Sequence, residues 1–279
     1  MSGAVSMVDG AMVDLGQRRA LWWLRQVTDF LGFGVLAPAA VLIGVWFAVV
    51  DGLRLPSYFA KSPAAAWQYF FSSAGAATNR SELVHALATT GRDAALGFLA
   101  GMLLGFAVAY LTVLSRRIKQ TLMPFALAAR AVPLVAMTPI IALVFGYSLT
   151  AVTVVGTIVV FFPTFVTMVE ALGALPRVGE DLIAAFGGTR WDRIVKLAIP
   201  GTVRAAFAAA RIGAPGAVIG ATFAEWLISG RGIGYLMVSA SETSAFDDLW
   251  ASVFLMTLLS IVLYNLVALA QRLLLDHEH

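Results

Sequence analysis

Long apolar runs separated by narrow polar bands set the pattern of this chain. The runs fall at residues 30–50, 86–114, 122–146, 149–172, 203–227 and 249–269. Each is about the 20 residues with which a helix crosses a hydrocarbon core of roughly 30 Å. The short alternating segments of a membrane barrel are absent, and helices satisfy their backbone hydrogen bonds internally in lipid. The pattern therefore predicts an all-α, polytopic membrane protein with six transmembrane helices. Gly97, Gly101 and Gly105 recur at spacing four in the second run, which puts them on one stripe where a neighbouring helix can approach closely. Pro133 and Pro139 in the third run and Pro163 in the fourth predict bends, read either as packing kinks or as bends lining a pathway.

Composition agrees with the pattern. Hydrophobic residues make up 60% of the 279 positions and charged residues 13%, with a mean hydropathy of +0.86. A soluble domain carries roughly a quarter charged residues. The net charge of +3 matters less than its distribution, because short cytoplasmic loops collect Lys and Arg. Arg18, Arg19 and Arg25 precede the first run. Arg116, Arg117 and Lys119 follow the second, Arg177, Arg190, Arg193, Lys196 and Arg204 lie around the join of the fourth and fifth, and Arg272 follows the sixth. Both termini are therefore predicted cytoplasmic. The expected organisation is a cytoplasmic lead at 1–28, a transmembrane domain at 29–272 and a cytoplasmic tail at 273–279. Within the domain lie an amphipathic outer-face segment at 51–82 and a cytoplasmic loop at 173–202. Positive charge precedes the first run as in a signal peptide, but the run is long and no convincing cleavage pattern follows, so it reads as a retained span.

The cytoplasmic loop contains the densest polar band, EDLIAAFGGTRWDRIVKLAIPG at 180–201. It splits at Gly187 and Gly188, where glycine can take the left-handed conformation that closes a helix over 178–186. Thr189 stands at the next N-cap with Asp192 three residues on, a shortened capping box. Trp191, Ile194, Val195 and Ala198 fall on one apolar stripe, Asp192 and Lys196 are spaced for an ion pair, and Pro200 is expected to stop the helix. Two short helices of this kind read either as a surface gripped by another protein or as an interfacial piece anchored in headgroups by Trp191.

Candidate chemistry is sparse. No G-x-x-x-x-G-K-[ST] is present to cradle a nucleotide, and Gly230, Gly232 and Gly234 read as a turn because no strand precedes them. There are no cysteines, which excludes disulfides and thiolate chemistry. His85, His277 and His279 are scattered, so no metal site is expected; no acidic pair and no H-E-x-x-H motif supports an intramembrane enzyme. Arg130 and Arg211 inside spans are costly residues that face a cavity or a partner. Arg211 reads either as an anion attractor or as a structural pair. Glu225 reads as a pairing residue within the bundle or as part of a gate.

The band resembles the EAA signature of permease subunits in type I ATP-binding-cassette importers, carried here by Asp181, Gly187, Arg190, Trp191, Ile199 and Pro200. AVPLVAMTPIIALVFG around Pro133 and Pro139, AVIGATFAEW around Glu225 and GRGIGYLM from Gly230 are similar to the branch serving nitrate, sulfonate, taurine, pyrimidine precursors and riboflavin. The resemblance spans residues 36–274 in unbroken order. It departs at Leu182 and Ile183, where the family has small alanines. It implies coupling helices over 178–199 that sit in grooves of two ATP-binding subunits, with Asp181, Ala184, Ala185, Gly187, Arg190, Trp191, Arg193 and Pro200 as coupling residues. Arg130, Pro133, Pro139, Arg211 and Glu225 are the candidate pathway or gate residues, and no catalytic residue is expected. ATP and Mg would stay on the ATPase subunits, and this chain would bind no cofactor. The implied partners are a second permease copy, an extracytoplasmic substrate-binding protein and the lipid of a bacterial plasma membrane, with no nucleic acid. A stand-alone carrier or channel subunit is the alternative; the docking-like band argues against it.

Overall fold

The computed structural model describes residues 36–53, 56–58, 60–73, 75–129 and 131–275. Arg130, the lead and the last four residues lie outside them. The chain separates into a unit at residues 1–45 and a larger unit at 46–279, and the structure below concerns the larger one except where α1 begins. The described elements are α1 Ala37–Gly52, α2 Pro63–Phe71, α3 Ala76–Leu114, α4 Arg116–Ala129 and α5 Leu134–Phe145. They continue as α6 Leu149–Gly173, α7 Arg177–Ala185, α8 Arg190–Ser229, α9 Ile233–Glu242 and α10 Phe246–Leu275. No strand occurs among the described residues.

Four helices, α3, α6, α8 and α10, are long and apolar enough to cross a membrane, and the bent pair α4–α5 makes a fifth if it counts as one span. The expected sixth, at 30–50, falls partly outside the described residues; α1 there is a shorter apolar helix. The expected continuous span at 122–146 is broken instead. Helix α4 ends at Ala129, and Pro133 becomes the N-cap of α5 in an extended conformation. Proline donates no hydrogen bond and disfavours helical backbone in the residue before it, which opens the chain at this point. Pro139 and Pro163, by contrast, lie inside α5 and α6.

Pro200 also departs from expectation, because α8 runs through it. The turn before it, Ile194–Ala198, is π-helical, and Ile199 N–H reaches Ile194 O five residues back. That wider turn re-spaces the carbonyls facing the proline ring, so the ring meets no i−4 partner in its place. The result is a 40-residue helix, about 60 Å long by helical rise, which exceeds one membrane crossing.

Helices α3, α6 and α8 form the centre, and small residues decide how closely they pack. A Cβ on Gly97 would lie 2.8 Å from Gly156 Cα, one on Gly101 2.6 Å from Val160 Cβ, and one on Gly105 2.7 Å from Thr164 Cγ2. The expected glycine stripe is thus the α3–α6 seam. Gly220 brings α8 to the same place, since its Cβ would stand 3.0 Å from Gly156 Cα. Ala209, Ala217 and Ala221 continue the close approach along α8, all 1% exposed or less. In lipid such contacts hold helices together through packing, because the surrounding tails are as apolar as the side chains. Large apolar residues on the outside, such as Leu103 and Leu143, suit the same surroundings.

Candidate functional site

The band at 180–201 folds into a hairpin of α7 and the start of α8. Helix α7 closes on a paired motif in which Gly188 N–H donates to Ile183 O (2.8 Å) and Gly187 N–H to Ala184 O (3.0 Å). Gly187 has φ +70°, a left-handed conformation that costs another residue its Cβ clearance. Thr189 then caps α8, accepting from Asp192 N–H at 3.2 Å while Asp192 Oδ2 accepts from Thr189 N–H at 2.8 Å. Lys196 Nζ meets Asp192 Oδ1 at 2.6 Å, the expected i,i+4 pair. Glycine turn, capping box and ion pair all form where the sequence predicts them.

The predicted apolar stripe is only partly covered. Ile194 and Ala198 are buried, whereas Trp191 is 67% exposed and Val195 faces outward. Trp191 and Val195, four residues apart, form the exposed edge of the stripe, and Ile194 and Ala198, also four apart, form the edge that the bundle covers. Phe186 (84% exposed), Val178 and Leu182 join Trp191 in an outward apolar surface on the hairpin. One contact ties this surface to the bundle and a second joins the two arms of the hairpin. Arg190 Nη1 donates to Leu114 O (2.9 Å), a free carbonyl at the end of α3, and Arg193 Nη2 bonds Glu180 Oε1 at 2.6 Å. Asp181, Ala184, Ala185, Gly187, Arg190, Trp191 and Pro200 are exposed and Arg193 is half-buried, so the eight candidate coupling residues share one hairpin.

At the other end of α8 a second π turn, Glu225–Ser229, begins at a fully buried carboxylate. Glu225 Oε2 accepts from Thr90 Oγ1 and from Gly234 N–H, both at 2.9 Å, and Thr90 Oγ1 accepts from Ile233 N–H at 2.9 Å. One side chain thus ties α3, α8 and the start of α9 together. Gly232, at φ +92°, lies so close that a Cβ would overlap the carboxylate. Nearby on α3, Asp93 is 2% exposed and accepts from Arg92 at 2.7 Å. Thr90 and Asp93 were not singled out by sequence reasoning, although an acid inside an apolar run is itself a signal of a paired group.

Past this node, α2 is fastened to the start of α10. Lys61 Nζ lies 3.2 Å from Asp247 Oδ2, Trp46 Nε1 donates to Lys61 O at 2.8 Å, and Trp46 stacks on Trp250. Tyr69 donates its hydroxyl to Asp248. Burial, reinforced by that hydrogen bond, pushes the Tyr69 phenol well above its usual range, so it remains a donor.

The candidate pathway residues are not gathered in one place. Pro133 lines a cleft of about 470 Å³ with Met137, Phe162, Pro163, Ile212 and Gly216. Pro139 is exposed on α5. Arg211 is half-buried beside Ile212, and its side chain makes no hydrogen bond or ion pair with a described residue. Glu225 makes its contacts within the bundle. Arg130 lies outside the described residues. No group of three His, Cys, Asp or Glu side chains suited to a metal occurs among the described residues, and His85 is exposed.

Helices locked at glycine contacts, with one long apolar helix ending in an exposed hairpin, define a multi-pass membrane protein. Residues 97–277 match the family of binding-protein-dependent transport system inner membrane components, and the chain belongs to that family. It is 29% identical over 224 residues to a probable ABC transporter permease of Haemophilus influenzae, covering 80% of this chain and 89% of that protein. It is 30% identical to the formylaminopyrimidine transport permease of Halalkalibacterium halodurans, covering 64% and 72%. The taurine transport system permease of Escherichia coli is 26% identical, covering 93% and 94%. The chain is a permease subunit of an ABC importer and a multi-pass membrane component.

Proposed function

We propose that the hairpin at 177–201 is the coupling element of this permease, seated in a groove on an ATP-binding subunit. The observation that carries this reading is continuity: the exposed Trp191 surface stands on the same unbroken helix that runs through the bundle to Glu225. Closure of two ATPase subunits on ATP and Mg then displaces α8 as a rod, and the bundle exchanges inward-facing for outward-facing arrangements. Asp181, Ala184, Ala185 and Gly187 form one wall of the fitted surface, and Arg190, Trp191, Arg193 and Pro200 form the other. Hydrolysis resides on those partner subunits, and this chain contributes the pathway. The assembly pairs two copies of the permease and receives its ligand from an extracytoplasmic binding protein.

In the same reading the hairpin and both termini are cytoplasmic, with 1–28 as lead, 29–272 as the permease domain, 51–82 on the outer face and 273–279 as tail. The path passes the Pro133 cleft, with Arg130, Pro139 and Arg211 beside it and Glu225 bracing the outer gate. Relatives named for taurine and for formylaminopyrimidine support a small polar solute as cargo, either an organic anion or a nitrogen heterocycle.

The test uses two substitutions in the reconstituted importer. Gly187→Pro removes the left-handed turn, and Arg193→Glu sets two carboxylates against each other at Glu180. Each is expected to abolish uptake and substrate-stimulated ATP hydrolysis while membrane insertion persists. Uptake at the wild-type rate with both changes would contradict the assignment.

A further inference from the structure

Beneath the hairpin lies a cleft of about 490 Å³ bounded by the ends of α3 and α6, by α4 and by the start of α8. Its walls carry Lys119, Arg177, Arg190 and Arg193 against one carboxylate, Glu180. Glu180 is engaged by Arg193, and Arg190 reaches only a neutral carbonyl. The side chains of Lys119 and Arg177 have no hydrogen bond or ion pair with a described residue. Arg193 Nε is shielded from solvent and also lacks a partner. Four cations and one carboxylate leave three positive charges uncompensated in a concave site.

Such a focus of donors attracts an anion, and a guanidinium fork beside an ammonium suits phosphate oxygens. Leu172 and Leu197 supply an apolar wall next to the cations, so the site has the two-sided character of an amphiphile's polar end. Basic pockets between transmembrane helices at the cytoplasmic surface hold phospholipid headgroups. We propose that this cleft binds a phosphate-bearing anion, and that its occupant is the headgroup of an anionic phospholipid. The lipid assignment rests on the hairpin lying at the cytoplasmic membrane surface; the anion site does not depend on coupling. A headgroup there braces the underside of the hairpin, leaving the outward Trp191 surface free.

The test is native mass spectrometry of the full-length purified permease exchanged against phosphatidylglycerol, phosphatidylcholine and inorganic phosphate. Wild type is compared with a Lys119→Ala, Arg177→Ala double variant, which leaves the coupling residues intact, and with Arg231→Ala at the opposite end. Phosphatidylglycerol retention is expected to exceed that of phosphatidylcholine by about tenfold or more in wild type and in Arg231→Ala, and to fall to parity in the double variant. Equal retention of both lipids with selective protection by inorganic phosphate would overturn the lipid assignment and identify a free phosphate anion as occupant. A wild type that behaves like the double variant towards all three probes would overturn the site. Capture of the ATP-binding subunit by wild type and double variant is scored in parallel, so failure of the coupling reading is seen separately.

Discussion

The two ends of α8 both carry a π turn and both carry charge, yet they are built on opposite principles. At the hairpin end Arg193 pairs with Glu180 and Lys196 with Asp192 in short, partly exposed contacts, and the large apolar side chains point outward. At the Glu225 end a single carboxylate is sealed from solvent and gathers donors from two other segments. Exposed ion pairs contribute little because water and salt screen them, whereas a buried carboxylate that loses its donors leaves several groups unpaired at once. The first end presents the surface that we propose an ATP-binding subunit covers. The second sets the geometry of the chain itself.

This contrast is broken most severely at the sealed end. Glu225→Ala removes the acceptor from Thr90 Oγ1 and Gly234 N–H, with an expected loss of about 3 kcal/mol or more of stability, read as a lower Tm and a smaller folded yield in detergent. Gly101→Leu comes next, because its side chain must enter the α3–α6 seam at Val160; overpacking there is expected to cost roughly 1–3 kcal/mol in the same thermal assay. Gly187→Ala places a Cβ in a left-handed turn and is expected to cost about 1–2 kcal/mol locally. Its signature is reduced uptake with nearly unchanged Tm of the bundle, which separates the two ends. Lys196→Ala removes a pair whose lysine is 69% exposed, and neither Tm nor uptake is expected to change measurably. A large effect there would show that the hairpin end relies on its surface ion pairs.

The hairpin was legible in the sequence because its signals are local: two glycines, a capping threonine and an aspartate three residues later. The glycine stripe was legible for a similar reason, since spacing alone puts Gly97, Gly101 and Gly105 on one face. What escaped depends on contacts between segments distant in sequence or on departures from the ideal period. Thr90 and Gly234 meet Glu225 only when α3, α8 and α9 are assembled. The division of Trp191 from Ile194 depends on how far the bundle covers that face, and the π turn at Ile194–Ala198 is a departure that a 3.6-residue period cannot register. The same turn carries the helix through Pro200, where proline alone reads as a stop. Among the prolines of the third apolar run, Pro133 begins a new helix and Pro139 is absorbed within it, a difference that the residue type alone does not give.

The central claim is that an ATP-binding subunit covers the outward face of the hairpin. The chain contains no cysteine, so Phe186→Cys introduces a single reporter into that face. The decisive measurement is its alkylation rate in the purified permease and in the importer complex isolated from native membranes. The account predicts rapid labelling of the permease alone and strong protection in the complex, with a cross-linker joining Phe186→Cys to a P-loop ATPase. Equal labelling in both preparations, with no cross-link to such a subunit, would contradict it.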